Sequence, residues 1–345
     1  MTSFTSGMKG AVVSAAALLA ACSGGAKDGG AGDSAASTAK TFRIAMIAKS
    51  STNPVFLSAR TGAEAAAAEL SKTTGTAITI DWLTPPQEDG AVQAQRIAQA
   101  VNDGANALLI STSDAGKVTG AINSAVERGV PVMMFDSDAP DSKRFSFYGG
   151  DDVLIGQQVM SELAAQMGGK GKIGIIAGNQ NAPNLQRRVQ GVKDEAKKYP
   201  GITVVSTFYH IETPQDAAAE VLRAQNAYPE IQGWAMIGGW ALFTTALLTD
   251  LDASKVKIVS VDGLPAELPY IESGLAPVLL AQPTYLWGEV SVRTIVDHVL
   301  LKKDVPAHVN MELVRVSKDN LGTWARQLKT CGITAVDQKV LDLAK

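Results

Sequence analysis

Short apolar runs alternate with amphipathic segments from residue 42 onward. Residues 42–48 form an apolar run of strand length, and residues 49–52 form a polar turn. Asn53 is a good helix N-cap, and Pro54 suits the first helical position, where no amide proton is needed. Apolar residues then recur at helical spacing from Phe56 to Leu70. The pattern therefore predicts a strand, a polar loop and a helix, which together make the first half of a βαβ unit.

The same alternation continues through the chain and predicts an α/β protein with two lobes. Strands are predicted at residues 77–83, 107–110, 130–135, 172–177, 202–208, 234–237, 256–261, 278–281 and 309–316. Helices are predicted at residues 91–101, 115–128, 153–167, 185–199, 215–227, 242–251, 266–273 and 285–301, with short helices or coil after them. These strands are too many for one sheet of ordinary size. We therefore expect two Rossmann-like lobes with parallel-rich sheets.

The N-terminus predicts an export signal rather than a folded element. Lys9 precedes an apolar run at residues 11–20, which has the length of a signal-peptide core. Residues 19–22 resemble a bacterial lipobox, which implies that Cys22 carries lipid, although an ordinary signal peptide that happens to hold a cysteine is the alternative. Residues 1–21 would then be a lipoprotein signal peptide and residues 22–40 a flexible tether. Cys331 would have no partner for a disulfide within the chain.

Composition and motifs exclude several functional classes. The chain has 345 residues and a net charge of -3, which gives no support for nucleic-acid binding. We find no glycine-rich dinucleotide loop, Walker loop, nucleophile elbow or metal-spaced histidine pair. We therefore expect no enzymatic activity, no cofactor and no metal. No apolar run reaches the roughly 18 residues that span a bilayer.

Polar side chains cluster where the predicted strands end. The carboxyl ends of parallel strands are where α/β folds bind ligands, so these side chains are expected to line one cleft. Carboxylates and amides suit a neutral polyol, because they accept and donate hydrogen bonds to hydroxyl groups. The alternative is that these residues only cap helices or shape turns. The residues concerned are Ser50, Ser51, Asn53, Asp136, Ser137, Asp138, Asn179, Asn181, Asn184, Asp262 and Gln282.

Seven short motifs give the chain a specific resemblance. They lie at residues 51–56, 129–136, 149–152, 188–191, 238–240, 261–263 and 281–282. In this order and spacing, the chain resembles the type I periplasmic sugar-binding proteins of ABC importers, in the ribose-binding-protein-like group. The resemblance implies two lobes joined by three crossings, near residues 148–150, 282–283 and 313–315. The first lobe would comprise residues 41–149 and 284–314, and the second residues 150–283 and 315–345.

The resemblance also implies the ligand-binding residues. Asn53 matches a position that binds sugar hydroxyls, Phe56 an aromatic that stacks on the ring, and Asp136, Asp262 and Gln282 polar ligands. Ser137 replaces the arginine of ribose binders, and Arg188 lies near a ligand arginine, with Gln186 and Asn184 as rivals. Trp240 either stacks on the sugar or packs between helix and sheet. The full predicted set is Ser51, Asn53, Phe56, Asp136, Ser137, Asp138, Asn184, Arg188, Trp240, Asp262 and Gln282.

The implied function is capture of a sugar and its delivery to an ABC permease in the inner membrane. The protein would be a monomer in the periplasm or at the cell surface, held to a bacterial membrane through Cys22. The alternative is a receptor of the same fold that passes a sugar signal to a sensor kinase or chemoreceptor. A DNA-binding repressor with the same lobes is disfavoured, because a lipobox stands where the helix-turn-helix would lie.

Overall fold

The computed structural model describes residues 41–343, which form two α/β lobes. The sheet of the first lobe has six parallel strands in the order β11-β5-β4-β3-β1-β2. These strands are β1 (Thr41–Ile47), β2 (Ala77–Trp82), β3 (Ala107–Ile110), β4 (Val132–Phe135), β5 (Ser146–Gly149) and β11 (His308–Asn310). The helices of this lobe are α1 (Pro54–Thr74), α2 (Gly90–Asn102), α3 (Ala115–Glu127) and α8 (Thr284–Ile295), which continues as a π-helix at Val296–Leu300.

The second lobe repeats this arrangement. Its sheet has the order β12-β10-β9-β8-β6-β7, and only the β10–β12 pair is antiparallel. The strands are β6 (Lys170–Ala177), β7 (Gly201–Tyr209), β8 (Ile231–Met236), β9 (Lys257–Asp262), β10 (Val278–Ala281) and β12 (Val314–Val316). The helices are α4 (Asp152–Gln166), α5 (Pro183–Ala196), α6 (Pro214–Ala227), α7 (Leu268–Ser273), α9 (Leu321–Thr330) and α10 (Gln338–Leu341), with 3₁₀ turns at Trp240–Leu242 and Pro265–Glu267.

The chain passes between the two sheets three times. It leaves the first sheet after β5, returns after β10, and leaves again between β11 and β12. As a result, the first strand in each sheet order, β11 or β12, comes from a later part of the sequence than the other strands of its sheet. The predicted α/β fold with two parallel-rich lobes is confirmed.

In each lobe, one pair of helices packs closely at a contact that contains two glycines. In the first lobe, a Cβ on Gly62 of α1 would overlap the Tyr285 carbonyl, and a Cβ on Gly288 of α8 would overlap the Ala59 carbonyl. In the second lobe, Gly156 of α4 and Gly191 of α5 meet in the same way. Because no side chain separates these backbones, each helix pair lies close against its sheet and fixes the position of the strand ends.

The central strands are buried on both faces, as a parallel sheet between helices requires. In the first lobe, Phe56 on α1 packs edge-on against Phe135 at the end of β4, with ring centroids 6.4 Å apart. Both rings also contact Trp287 on α8. This aromatic contact ties the helix that follows β1 to the end of β4, and so holds two neighbouring loops at one edge of the sheet.

Two of the predicted elements are wrong. Residues 243–251 form turns rather than a helix after the 3₁₀ turn at Trp240–Leu242, and the Thr244 carbonyl accepts a hydrogen bond from the distant Tyr270 hydroxyl (2.6 Å). Residues 309–316 are not one strand: β11 pairs with β5 in the first sheet, whereas β12 pairs with β10 in the second. The chain changes lobe between them. The short strand β5 was not predicted as a strand.

Candidate functional site

Two aspartates occupy equivalent places in the two lobes. Asp136 directly follows β4 and Asp262 ends β9, and these strands hold the third position in their respective sheet orders. Both residues have left-handed backbones, with φ values of 56° and 92°. A non-glycine residue rarely adopts this conformation, which costs on the order of 1–3 kcal/mol and is typical of functional positions. Each lobe therefore presents a buried carboxylate at the carboxyl edge of its sheet.

The carboxylate of Asp136 contacts both lobes. Its Oδ2 accepts a hydrogen bond from Ser111 Oγ (2.7 Å), and its Oδ1 accepts one from Asn184 Nδ2 (3.2 Å). Ser111 follows β3 of the first lobe, whereas Asn184 lies in the first turn of α5 in the second. The Nζ of Lys49 lies 3.9 Å from Oδ2. Asp136 is thus a point at which the two lobes meet.

The carboxylate of Asp262 is held by groups of the second lobe and of the second crossing. Its Oδ2 accepts the backbone N–H of Gly239 (2.7 Å), and its Oδ1 accepts Gln282 Nε2 (2.6 Å). Burial raises the pKa of Asp262, although these hydrogen bonds and the charge of Arg188 oppose the change. Gln282 lies between β10 and α8, where the chain crosses to the first lobe. The acid is therefore tied to the region that joins the lobes.

Arg188 fixes the other end of Gln282. Its Nη2 donates to Gln282 Oε1 (3.0 Å), its Nη1 to the Ile237 carbonyl (3.1 Å) and its Nε to Asp152 Oδ1 (2.9 Å). Arg188 is 3% exposed, and burial raises the pKa of Asp152 to about 6 despite the adjacent guanidinium. With three of its donors already bound to the protein, Arg188 is better suited to position Gln282 than to contact a ligand.

Glu267 supports the turn that follows Asp262. Its Oε2 accepts the backbone N–H groups of Gly263 (2.7 Å) and Leu264 (2.5 Å). Burial, together with the charge of Asp262, raises the pKa of Glu267 well above its usual value. The left-handed backbone at Asp262 is therefore braced by a second buried carboxyl group.

Five of the predicted site residues form two hydrogen-bonded groups, Asp136 with Asn184, and Asp262 with Gln282 and Arg188. The two groups are neighbours, because α5 carries both Asn184 and Arg188, and the charge of Arg188 acts on both acids. Asn53 lies at the same edge of the first sheet, buried, and caps α1 by accepting the Val55 N–H on Oδ1 (3.1 Å). Ser137 is also buried there, and its Oγ has no hydrogen-bond partner among the described residues. The other predicted site residues, which are Ser51, Phe56, Asp138 and Trp240, do not join these hydrogen-bonded groups.

Those remaining residues contact the protein itself. Phe56 is 2% exposed in the aromatic core, and Trp240 is buried edge-on against the His210 ring at 5.0 Å. Asp138 forms an ion pair with Arg144, with oxygen–nitrogen distances of 2.5 and 2.6 Å. Ser51 is linked through its backbone N–H to the Pro85 carbonyl (2.8 Å). Gln186, the rival of Arg188, is exposed and donates to the Gln180 carbonyl (2.6 Å).

The sequence reasoning missed several charged side chains at this edge. Lys49 follows β1, Glu88 follows β2, and His210 and Glu212 follow β7. The available signal was their place after strand ends, which also marked Asp136 and Asp262. These residues were not predicted to belong to the site, because a charged residue in a loop is usually exposed to solvent.

The opposite edge of the second sheet carries a surface depression of about 760 Å³. It lies at the amino ends of β6, β8 and β9 and is lined by residues such as Lys172, Glu230 and Lys255. Ligands of open α/β sheets bind at the carboxyl ends of strands instead. The network around Asp136 and Asp262 is therefore the stronger candidate.

Comparison with known families decides the class of protein. A family model described as a periplasmic binding protein domain matches residues 44–303, which is most of the chain. The chain is a type I periplasmic sugar-binding protein. This membership confirms the resemblance that the motifs indicated, and the family consists of sugar-binding transport proteins rather than enzymes.

Similar periplasmic binding proteins include a ribose import binding protein, RbsB, of Bacillus subtilis. It is 24% identical over 276 residues, which cover 79% of this chain and 87% of the relative. A xylitol-binding protein of Mycolicibacterium smegmatis is 25% identical over 188 residues, and this match spans 54% of each chain. A carbohydrate transporter solute-binding protein of Agrobacterium radiobacter, solved in complex with D-arabinose, is 25% identical with a TM-score of 0.76; the match covers 86% of this chain and 99% of that one.

Members of the periplasmic binding protein family act outside the cytoplasm. In residues 41–343, no helix has both the length and the apolar character needed to cross a membrane. The predicted lipidation of Cys22 and the predicted tether fall outside the described residues and stay predictions. Cys331 is a free cysteine in the described part of the chain.

Proposed function

We propose that this binding protein captures a sugar between its lobes and delivers it to an ABC permease. One observation carries the proposal: Asp136 and Asp262, at equivalent positions of the two sheets, belong to buried polar networks that meet at the carboxyl edges. A ligand held by both acids binds both lobes at once. Its binding would stabilise the closed arrangement, as in hinged binding proteins generally.

The chemistry of the edge suits hydroxyl groups. A carboxylate oxygen accepts from hydroxyls, and a hydrogen bond to a charged group contributes about 1.5–3 kcal/mol when water is excluded. Asp136 and Asp262 are the proposed acceptors, and Asn53, Ser137 and Asn184 the proposed neutral partners. Gln282 positions Asp262 through a hydrogen bond, and Arg188 in turn positions Gln282. Phe56 supports this edge from the core, where its ring packs against Phe135 and Trp287, and it is not proposed as a ligand contact.

Pentoses and related polyols are the first ligands to test. The named ligands of similar proteins are ribose, xylitol and D-arabinose. Ser137 stands where ribose binders carry an arginine, so the ligand contacts beside Asp136 differ from theirs. We therefore propose a ligand of pentose to hexose size without assigning it to ribose.

The membrane anchor completes the proposal. A lipidated Cys22 followed by residues 23–40 would keep the lobes close to a permease in the inner membrane while leaving them free to open and close. We propose that the protein acts as a monomer at this location, in the periplasm or at the cell surface.

A second candidate function is signal reception. A solved XylFII–LytSN complex contains a chain that is 25% identical to this one, with a TM-score of 0.70 and coverage of 81% of this chain. Binding of a similar chain to a second protein favours a receptor that reports a sugar to a membrane partner. Neighbouring permease and ATPase genes would favour transport, and a neighbouring kinase gene would favour reception.

Isothermal titration calorimetry tests the proposed binding. The protein is titrated with D-ribose, D-arabinose, D-xylose, xylitol, D-glucose, D-galactose and D-tagatose, with circular dichroism as the control for folding. We expect saturable one-to-one binding of at least one of these compounds. A folded protein that binds none of these sugars and polyols, nor their amino derivatives, would overturn the proposal.

A further inference from the structure

A second polar group lies at the carboxyl edges of the two sheets, beside the aspartates. In the first lobe it comprises Lys49 after β1 and Glu88 after β2. In the second it comprises Asn179 after β6, with His210 and Glu212 after β7. Strands β2 and β7 hold the same terminal place in the two sheet orders, so Glu88 and Glu212 occupy corresponding positions of opposite lobes. We call these five residues the charged subsite.

Contacts across the lobes hold the charged subsite together. Asn179 Nδ2 donates to the Ser113 carbonyl of the first lobe (3.2 Å), and the Asn179 backbone N–H donates to Glu212 Oε1 (2.9 Å). Gly178 makes room for Glu212, because a Cβ at that position would lie 2.5 Å from Glu212 Oε1. The carboxyl group of Glu88 lies beside Glu212 and Asn179. The subsite is therefore built from side chains and backbone of both lobes.

Several polar atoms of the charged subsite are buried without a hydrogen-bond partner. Neither carboxyl oxygen of Glu88 is exposed to solvent, and apart from the neighbouring Glu212 carboxyl group and Asn179 amide no polar group of the described residues contacts it; His210 Nε2 is buried without any hydrogen-bond partner in the described chain. Lys49 is 3% exposed, and its nearest acidic oxygen within the described chain, on Asp136, is 3.9 Å away. A buried polar atom without a partner costs on the order of 1–3 kcal/mol. These atoms point to a ligand that supplies the missing hydrogen bonds.

The unpartnered atoms of Glu88 and His210 are mainly acceptors. His210 Nδ1 lies 2.7 Å from the Ile211 carbonyl, an acceptor, so Nδ1 carries the proton and Nε2 offers a lone pair. Burial lowers the pKa of His210 and so keeps the ring neutral. Glu88 adds two carboxylate oxygens. The ligand group that matches this edge is therefore a donor with several N–H or O–H bonds.

The charge balance decides between kinds of donor. Glu88, Glu212 and Asp136 all face Lys49, and Arg188 is engaged with Asp152. Burial and the charge of Glu212 raise the pKa of Glu88 well above its usual value, whereas Lys49 and the contact with Glu88 lower that of Glu212 against the effect of burial, so the two carboxyl groups share one proton. The pair would repel an anionic ligand, and a neutral ligand would leave the shared proton in place. An ammonium group would replace that proton between the two carboxylates.

We propose that the sugar ligand carries an ammonium group, which binds between Glu88 and Glu212 while the sugar hydroxyls bind Asp136 and Asp262. The ligand class is thus an amino sugar or an amino polyol, and this inference rests on the proposed sugar binding. An ammonium group has three donors, and Glu88, Glu212 and His210 Nε2 provide matching acceptors. Lys49, whose Nζ lies 3.9 Å from Asp136 and whose charge also acts on Glu212 and Glu88, repels an amine placed on its own side of the two glutamates.

Matched ligand pairs test the proposal by calorimetry on the whole protein. D-Glucose is compared with D-glucosamine and 6-amino-6-deoxy-D-glucose, D-galactose with D-galactosamine, and xylitol with 1-amino-1-deoxyxylitol. We expect at least one amino compound to bind about tenfold or more tightly than its parent, because a charge-assisted hydrogen bond replaces a neutral one. Neutral parents that all bind as tightly as their amino derivatives would overturn the inference and leave sugar binding intact.

Two variants separate the charged subsite from general charge effects. Glu88→Gln should reduce the amine preference, which is the ratio of the Kd of the neutral parent to that of its amino derivative, to within about twofold, and Glu212→Gln should do the same. Glu127→Gln is the control, because Glu127 is an exposed acid of the first lobe paired with Lys143 (2.6 Å). It should keep the full preference. An amine preference that survives in both Glu88→Gln and Glu212→Gln would contradict the subsite.

Discussion

Asn184 in the second lobe donates a hydrogen bond from Nδ2 to Oδ1 of Asp136 in the first lobe, at 3.2 Å. Both side chains are buried, and Asn184 lies in the first turn of α5. The contact means that the amide reaches the acid only when the lobes are together. A sugar hydroxyl placed between them would bond to both groups and link ligand binding to closure.

Replacement of Asn184 by alanine should weaken sugar binding without abolishing it. The variant loses one hydrogen bond between a neutral amide and a sugar hydroxyl, which corresponds to about 0.5–1.5 kcal/mol, or roughly two- to tenfold in Kd. Calorimetric titration with the best wild-type ligand measures the change. An unchanged Kd would remove Asn184 from the ligand contacts and leave it only as a contact between the lobes.

Replacement of Gln282 by leucine should impair both stability and affinity. The side chain joins Asp262 Oδ1 to Arg188 Nη2, so its loss leaves a buried carboxylate and a buried guanidinium each short of one partner. Such a loss costs about 1–3 kcal/mol per group. Thermal unfolding and ligand titration together check this prediction. If neither the unfolding midpoint nor the Kd moves, Gln282 does not position Asp262.

The glycine contacts predict opposite effects for two similar substitutions. Gly191→Ala should destabilise the protein, because the new Cβ would overlap the Val153 carbonyl where α5 meets α4. Gly120→Ala in α3 should stabilise it by about 0.5–1 kcal/mol, because no atom lies within 4 Å of the new Cβ and alanine favours a helix. Urea unfolding measures both. Equal effects would show that the close helix contact is not important for stability.

Asp152 should make a destabilising contribution that grows as the pH rises from about 4 to 6. Burial raises the pKa of this carboxyl group from 3.8 to about 6 in the folded protein. In that range the folded state retains a proton that the unfolded chain has released, so increasing pH favours unfolding. The full difference amounts to about 3 kcal/mol.

The variant Asp152→Asn tests this assignment. Its free energy of unfolding, measured by urea titration at several pH values, should depend less steeply on pH between 4 and 6 than that of the wild type. The buried groups Glu88 and Glu267, whose pKa values are also raised, would account for the slope that remains. An identical slope in the variant would show that Asp152 does not titrate in this range.

The fold could be predicted from the sequence because the signals that mark each helix and strand lie within that element. Apolar runs and helix caps such as Asn53 mark each element without knowledge of its partners. The prediction was wrong at residues 309–316, where β11 and β12 belong to different sheets. Strand pairing depends on residues far away in the chain, which a local pattern does not show. The prediction was also wrong at residues 242–251, where turns replace the helix and the Thr244 carbonyl bonds to the distant Tyr270 hydroxyl, a contact that the local pattern does not show.

The site was predictable only in part for a related reason. Asp136 and Asp262 follow apolar strands directly, so the strand ends identify them. Glu88 and Glu212 lie further along their loops, and their burial depends on the opposite lobe, which no local pattern reveals. Asp138 has the same strand-end signal as Asp136, yet its ion pair with Arg144 holds it in a different contact.

The most direct test of sugar binding between the lobes is the Kd of the best ligand for three aspartate variants. Asp136→Asn and Asp262→Asn remove one acid from each lobe, and Asp81→Asn is the control, because Asp81 on β2 is a partly exposed acid that pairs with Arg43 (2.6 Å) and contacts neither acid network. We expect each of the first two to weaken binding at least tenfold, and the control to change it less than about twofold. Wild-type affinity in both Asp136→Asn and Asp262→Asn would contradict the proposed site.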